Sequence, residues 1–405
     1  MPPSPAVLSE DLVAEVLSFL PVKSLVCFRC VSKSWKTLIS EPTFVKLHLQ
    51  KSQSQSLCTL ITMHKDHILH GIYEVEDYSL VRYPINRIFE NPSFTLVHDS
   101  HSHHLKMEGN PTFIVGSCNG LVLLVRKSKS IKDDHKSYCL RVWNPATWTS
   151  SDFFGHFRDI ETFHFAFGCV NSTGSFKVVA FCFRKETMEV RVLNLDHGDY
   201  LWRNIETFPV VPYRVFESHE HVYLSGTLNR LSIPNETVEH SVIVSLDLET
   251  ETYNQYMVPC GFDQVTHSYN TPTIGVLGGC LCFSFLHKET DFVVWQMKKF
   301  GIEDSWTQLL KISYHTLRIG YDFIISTLRS FFQLVPSLLS EDGDSMILES
   351  NLESLTVQTI LYNMRDNTAK QTQIIASRTT IDNRNGDRVY WSHANDYVES
   401  LVPIP

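Results

Sequence analysis

The strongest constraint on this chain is a recurrence. Five segments share one form, in which an apolar run ends at a turn-forming residue, a polar stretch follows and a second apolar run returns: "LRVWNPATWTSSDF", "VRVLNLDHGDYLWRNI", "VIVSLDLETETYNQYMV", "FVVWQMKKFGIEDSWTQLL" and "QTILYNMRDNTAKQTQI". With Asn144, Asp196, Asp247, Met297 and Asn363 as turn positions, the steps are 52, 51, 50 and 66 residues. The first four are each preceded by another strand pair, at 113–125, 163–183, 221–233 and 274–286, the last turning through Gly-Gly, which supplies the positive φ of a tight hairpin. Two hairpins per unit make four antiparallel strands, and a repeat of such units near 50 residues is that of a propeller blade. The long last step needs an insertion; the stretch 311–340 has helical as well as strand spacing and leaves the last unit ill-defined.

Other segments fit the same plan. Residues 57–97 and the tail "RVYWSHANDYVESLVPI" add strand-like runs, and the tail is expected to complete a blade begun at the other end of the chain. Trp143, Trp202, Trp295 and Trp306 recur around the second hairpins; large aromatics at such positions are expected to pack between blades rather than to form a ligand platform.

The first 50 residues break the pattern. Ser9, Glu10 and Asp11 form a helix start, with a capping hydroxyl and two acids at the positive end of the dipole. Leu12, Val13, Val16, Leu17 and Leu20 follow as one apolar stripe, and Pro21 stops it. A second helix is expected from about Lys23, with Leu25, Phe28, Val31 and Trp35 at helical spacing, and Pro42 restarts a short last one. So small a unit buries only a modest share of its surface, so part of its apolar face wants a partner.

Two resemblances sharpen this. The segment "LSEDLVAEVLSFLPVKSLVCFRCVSKSWKTLISEPTFVKLHL" resembles the F-box, apart from Ser9, where that family usually has proline. From about residue 113 on, "SCNGLVLL", "VWNPAT", "VYLSGTLNRL", "SLDLET", "IGVLGGCLC" and "DYVESLV" are similar to the plant F-box-associated interaction domain, a kelch-related β-propeller-like module of a family that includes the S-locus F-box proteins. The resemblance implies a mainly β chain: a small all-α F-box at 1–50, a connecting segment at 51–112 that belongs to the first or closing blade, and a propeller-like domain at 113–405. It also implies that the F-box docks on a Skp-type adaptor and, through it, a cullin, with Leu8, Leu12, Val16, Leu20, Pro21 and Leu25 at or near the adaptor, while Phe28, Val31 and Trp35 serve either that groove or an internal core. The propeller-like part would then hold a protein substrate for ubiquitination, through residues the sequence does not reveal.

The remaining features set limits. The net charge of −9 is uneven: residues 1–51 carry six Lys/Arg against four acids, the rest 29 against 40, which argues against nucleic acid as ligand and for a neutral or basic partner. No basic region followed by an apolar one opens the chain, and no run approaches the roughly 18 apolar residues of a membrane span, so a cytosolic or nuclear location without membrane contact is expected. In that compartment the ten cysteines are free thiols, and the sequons at Asn171 and Asn235 are idle. Phosphate-loop, Gly-x-Ser-x-Gly and His-Glu-x-x-His motifs are absent. Cys27 and Cys30 have no second pair at zinc spacing and read as core-facing thiols, while His98, His101, His103 and His104 read as a polar loop rather than a metal site. A non-catalytic chain without metal or cofactor is the expectation. A propeller enzyme with a central-channel site and a non-degradative F-box scaffold are the alternatives.

Overall fold

In the computed structural model four helices come first. Ser9 is extended and its hydroxyl accepts from the Leu12 amide at 3.4 Å, so α1 (Glu10–Ser18) begins on a side-chain cap with two acids in its first turn. Pro21, at φ −57° and ψ 147°, separates it from α2 (Val22–Phe28). The spacing from Leu25 to Trp35 suggested one continuous helix. The chain breaks after Phe28 instead, and the Ser32 hydroxyl accepts from the Trp35 amide at 3.1 Å to give α3 (Lys33–Ser40) its own start. Pro42 opens α4 (Pro42–Ser54). The structure describes residues 9–54, 58–70, 73–84, 89, 105–107, 112–129, 134–184, 187–196, 198, 200–210, 221–233, 241–259, 272–287, 290–317, 333–340, 342–351, 358–372 and 390–405.

After the helices the described residues are mostly strand, in six sheets that each follow the order of a four-stranded antiparallel meander. The first strands of successive sheets are Thr112–Cys118, Phe163–Cys169, Val222–Leu224, Thr273–Leu277 and Gln333–Leu339, and each lies beside the next. Tyr390–Val398 takes the corresponding place in the remaining sheet, paired with Cys58–His70 (Thr59 opposite Tyr397, Leu60 opposite Asp396), and lies beside Thr112–Cys118. The chain thus forms propeller-like blades whose innermost strands follow one another, and one blade takes strands from both ends of the sequence. The second blade has an additional strand, Phe154–Asp159, paired with Lys136–Asn144.

The repeat has a local cause. Asn144, Asp247, Met297 and Asn363 end the third strand of their blades, and Asp196 lies two residues past such an end. The residue four positions after each turns left-handed: Trp148, Tyr200, Glu251, Gly301 and Asn367, with φ from 45° to 82°. The Asn144 carboxamide oxygen accepts from the Ala146 and Thr147 amides at 3.0 and 3.3 Å, and the Asp247 carboxylate accepts from Glu249 and Thr250 at 2.8 and 2.9 Å. These side chains stand in for the missing backbone acceptor of a turn, which is why Asn and Asp recur there. The insertion implied by the 66-residue step falls after Trp306–Ser313, where the helix Tyr314–Leu317 follows and residues 318–332 lie outside the described set. The sixth blade, doubtful from sequence, has its four strands paired from Gln333 to Thr372.

The tryptophans join neighbouring blades. Trp202 of the third blade donates its indole N–H to the Gly155 carbonyl of the second at 2.9 Å, and Trp306 of the fifth donates to the Met257 carbonyl of the fourth at 3.1 Å. Trp143 is buried against Ile114, Val122, Leu124 and Tyr397. Trp202 and Trp306 thus pack large apolar rings at the seams while satisfying their one polar atom.

The last residues tie the helices to the blades. Beyond Val398 the chain crosses the second blade, where Asn144 Nδ2 donates to the Ser400 and Val402 carbonyls at 3.0 and 2.9 Å. Room for this crossing depends on Gly120: a Cβ there would lie 2.1 Å from the Ser400 Cβ, and its φ is +81°. Leu401 then enters the helical core with Leu17, Val22, Leu25, Ile39 and Phe44. Burying such a side chain contributes about 1.5–3 kcal/mol. In Asn144→Ala the Ser400 and Val402 carbonyls and the turn amides lose their partner. A loss of about 2–3 kcal/mol in unfolding free energy is expected from denaturant titration, and a change within about 0.5 kcal/mol would show that the clamp carries no load.

Candidate partner-binding surfaces

Two surfaces are available, one on the helices and one on the blades. On the helices, α1 turns Leu17 and Ser18 inward, which leaves Leu12 at 55% and Val16 at 65% of full exposure. Phe19, Val26 and Val31 are also exposed. Spacings of four and three residues put Leu12, Val16 and Phe19 on one face of α1. The interior is already occupied, by the five helical side chains around Leu401 and by the half-buried Val13, Ala14, Leu20, Phe28, Trp35, Leu38 and Val45. The exposed set is therefore left over after the core has formed. Lys51 of α4 borders it, with Nζ 4.6 Å from the Phe19 ring centroid and 2.8 Å from the Glu15 carboxylate.

Residue by residue, the sequence reading of this face needs amendment. Leu12, Val16 and Pro21 are exposed and Leu20 is half-buried. Leu25 is not at the surface: it is 0% exposed, because α2 packs on Leu17 and Ile39 through Val22 and Leu25, three residues apart. That same orientation turns Cys27 and Cys30 outward, so the pair expected to face the core is exposed. Phe28 and Trp35 meet edge to face at 5.4 Å and pack on the internal core, whereas Val31 is free of it. Leu8 and the four histidines from His98 to His104 lie outside the described residues. Phe19 and Val26 were missed; the signal for Phe19 was its spacing from Leu12 and Val16, and Val26 had none.

His48 connects this face to the fold. Its Nε2 lies 3.0 Å from the Leu20 carbonyl at the break between α1 and α2, and its ring stacks near Phe44. Burial pushes its pKa below the ordinary 6.5, although the hydrogen bond to Leu20 opposes the shift.

The helices sit at the end of the blades where the innermost strands finish: Gln53 of α4 donates to Asn119, just past Cys118, at 3.5 Å, and Ala146 packs on the helical core. At the opposite end Ile160 and Phe183 are exposed. Beside them Arg184 and Arg191 bind both oxygens of Glu189 at 2.6 Å, and each also pairs with Asp159. Further inward, the His221 ring stacks on Phe181 at 3.9 Å and its Nε2 lies 3.3 Å from Arg230 Nη1, so His221 accepts and is neutral. Loss of water contact, then the Arg230 charge, lowers the pKa of both His221 and His164, the latter to about 4. Among the described residues no group of three or more His, Cys, Asp or Glu is placed to hold a metal ion, and no helix is long and apolar enough to cross a membrane.

The comparisons with known proteins now bear on this arrangement. The F-box domain family matches residues 7–47, and the F-box associated beta propeller domain family matches residues 72–404. The chain belongs to the F-box proteins with an associated beta propeller. An F-box/kelch-repeat protein of Arabidopsis thaliana is 28% identical over 320 residues, covering 76% of this chain and 80% of the relative. The F-box protein CPR1 of the same plant is 24% identical over 375 residues, covering 85% and 80%. Among solved structures, the periplasmic gluconolactonase of Pseudomonas aeruginosa aligns with 85% of this chain and all of its own, at 10% identity and a TM-score of 0.41.

Within the F-box, His48 is the group whose titration reaches the α1–α2 break. Its folded pKa is depressed, so the unfolded state binds a proton first as pH falls through 6.5, and stability is lost from there downward. Amide exchange of α1 and α2 at pH 7.5 and 5.5 is expected to show weaker intrinsic protection at 5.5, after correction for the chemical rate. His48→Gln is expected to remove most of that difference. An unchanged difference in the variant would assign it to another group.

Proposed function

We propose that this chain is the substrate-receptor subunit of a Skp/cullin/F-box ubiquitin ligase. The F-box binds a Skp-type adaptor through Leu12, Val16, Phe19, the Leu20 edge and Pro21, and the adaptor connects it to a cullin. The end of the propeller away from the helices receives a target protein. At that end the described residues leave Ile160 and Phe183 exposed, and exposed apolar side chains outside a filled core suit contact with another protein. The acidic balance of the chain beyond residue 51 suits a neutral or basic target. The contribution to reaction is proximity: a target lysine held near a charged conjugating enzyme reacts at raised effective concentration, and the chain itself forms no covalent bond. Cytosol or nucleus is the place for such an assembly.

The observation that carries this reading is the exposed apolar face of α1, unclaimed by an interior that is already filled. Full-length protein carrying Leu12→Asp and Val16→Asp is the test, because both positions are exposed and the interior stays intact. Capture of a recombinant Skp-type adaptor is expected to weaken at least tenfold, about 1.4 kcal/mol, with an unchanged melting temperature. Equal capture by both proteins would overturn the proposal.

A further inference from the structure

Two guanidinium groups of the second blade stand together without a counter-charge. Arg126 lies on the strand Leu121–Lys129 and Arg141 on Lys136–Asn144. Arg126 is opposite Cys139 and Leu124 opposite Arg141, so Arg126, Cys139 and Arg141 share one face of the sheet. Nearer the helices the same face buries Val122, Leu124 and Trp143 against Tyr397. Phe153 comes just before the strand Phe154–Asp159, whose first residue is opposite Leu140. Both arginines lie over its ring, with Cζ 4.0 Å from the centroid for Arg126 and 4.2 Å for Arg141.

Other arginines of the blades are treated differently. Arg184, Arg191, Arg203 and Arg365 each meet a carboxylate. The side chains of Arg126 and Arg141 meet no carboxylate and no other hydrogen-bond acceptor among the described residues, in a chain with 44 Asp and Glu. The ring holds them by cation–π attraction, which leaves the N–H groups of both without acceptors. Both Nε atoms are shut off from water and bonded to nothing, whereas the outer Nη groups are not shut off, and both residues are only half-buried. Two like charges on one ring, each with part of its hydration lost, repel each other, and an anion beside them relieves both costs. Cys139 does not supply that charge: burial pushes its thiol above the ordinary range, against the pull of Arg126 and Arg141.

We propose that Arg126 and Arg141, held on the Phe153 ring, bind a phosphoryl dianion, either inorganic phosphate or the phosphoryl end of a small organic phosphate. A carboxylate neutralises one guanidinium and leaves the other uncompensated; a group of charge two matches the pair, and its several oxygens accept charge-assisted hydrogen bonds from both. The site is a local exception in the acidic part of the chain, and it is independent of the adaptor face on α1. Its consequence is felt there all the same. The second blade carries the Asn144 clamp on the tail, and the tail carries Leu401 into the helical core, so a bound anion stabilises the blade on which the helices are seated.

Full-length protein is dialysed to equilibrium against radiolabelled inorganic phosphate at pH 7.5 in physiological salt. Saturable uptake of one phosphate per chain is expected, at least tenfold weaker in Arg126→Gln and in Arg141→Gln, and not displaced by acetate in tenfold excess. Displacement of the label by glycerol 3-phosphate extends the site to small phosphate esters; its failure to displace confines the site to the free ion. The place of binding is read without any substitution from the alkylation of Cys139 by iodoacetamide in the folded, unaltered protein, which phosphate is expected to slow at least threefold. The proposal is overturned if uptake is not saturable up to about 10 mM, if either variant binds as the unaltered protein does, if acetate displaces the label, or if phosphate leaves the alkylation of Cys139 unchanged.

Discussion

The structure depends on one side chain arriving from the far end of the sequence. Leu401 fills the centre of a helical unit of fewer than fifty residues, a size at which the share of surface buried on folding is small and every core position counts. By completing that core from outside, the tail lets the helices keep Leu12, Val16 and Phe19 at the surface instead of consuming them inside. It also makes the helices and the blades mechanically continuous, because the same few residues are clamped by Asn144 and pass over Gly120. The proposed receptor role draws on such continuity: a loosely tethered target would spread its lysines over a large volume, whereas a fixed one would sample a small volume near the reactive thioester.

The blades obey the same economy. Their repeat is set by a turn in which a left-handed residue follows four positions after the turn residue, with an Asn or Asp side chain capping two backbone amides at Asn144 and Asp247, and their seams are tied by indole N–H groups and by ions. Lys177 of the third blade donates to the Leu248 carbonyl and Glu251 of the fourth, and Arg203 joins the same carboxylate. Glu251 is itself a left-handed residue of that turn, so the feature that ends one hairpin also anchors the adjacent blade. Buried charge of this kind is tolerated because each member has its partners, and losing one would leave another uncompensated.

Much of this was legible in the sequence where the cause is local. The Ser9 cap, the stop at Pro21, the restart at Pro42 and the turn positions from Asn144 to Asn363 depend on residues a few positions apart, and the reading located each. What depends on long-range packing was not legible. A helical stripe does not say which of its members face inward: Leu17 and Leu25 went in while Leu12 and Val16 stayed out, and Cys27 and Cys30 turned to solvent as a consequence. The break at Ser32 was hidden because Leu25, Phe28, Val31 and Trp35 keep helical spacing across it. Nothing in "ESLVPIP" announces that Leu401 belongs to a core that begins at residue 13, since the two are joined by packing between opposite ends of the sequence.

The central claim, that the tail completes the helical core and fixes it to the propeller, is tested most directly by amide hydrogen exchange on the full chain and on one ending at Val398. Faster exchange of α2 and α3 in the shortened chain, with the strands of the fourth and fifth blades unchanged, is the result the structure predicts. Equal protection of α2 and α3 in both chains would contradict it, for the helices would then hold together without Leu401.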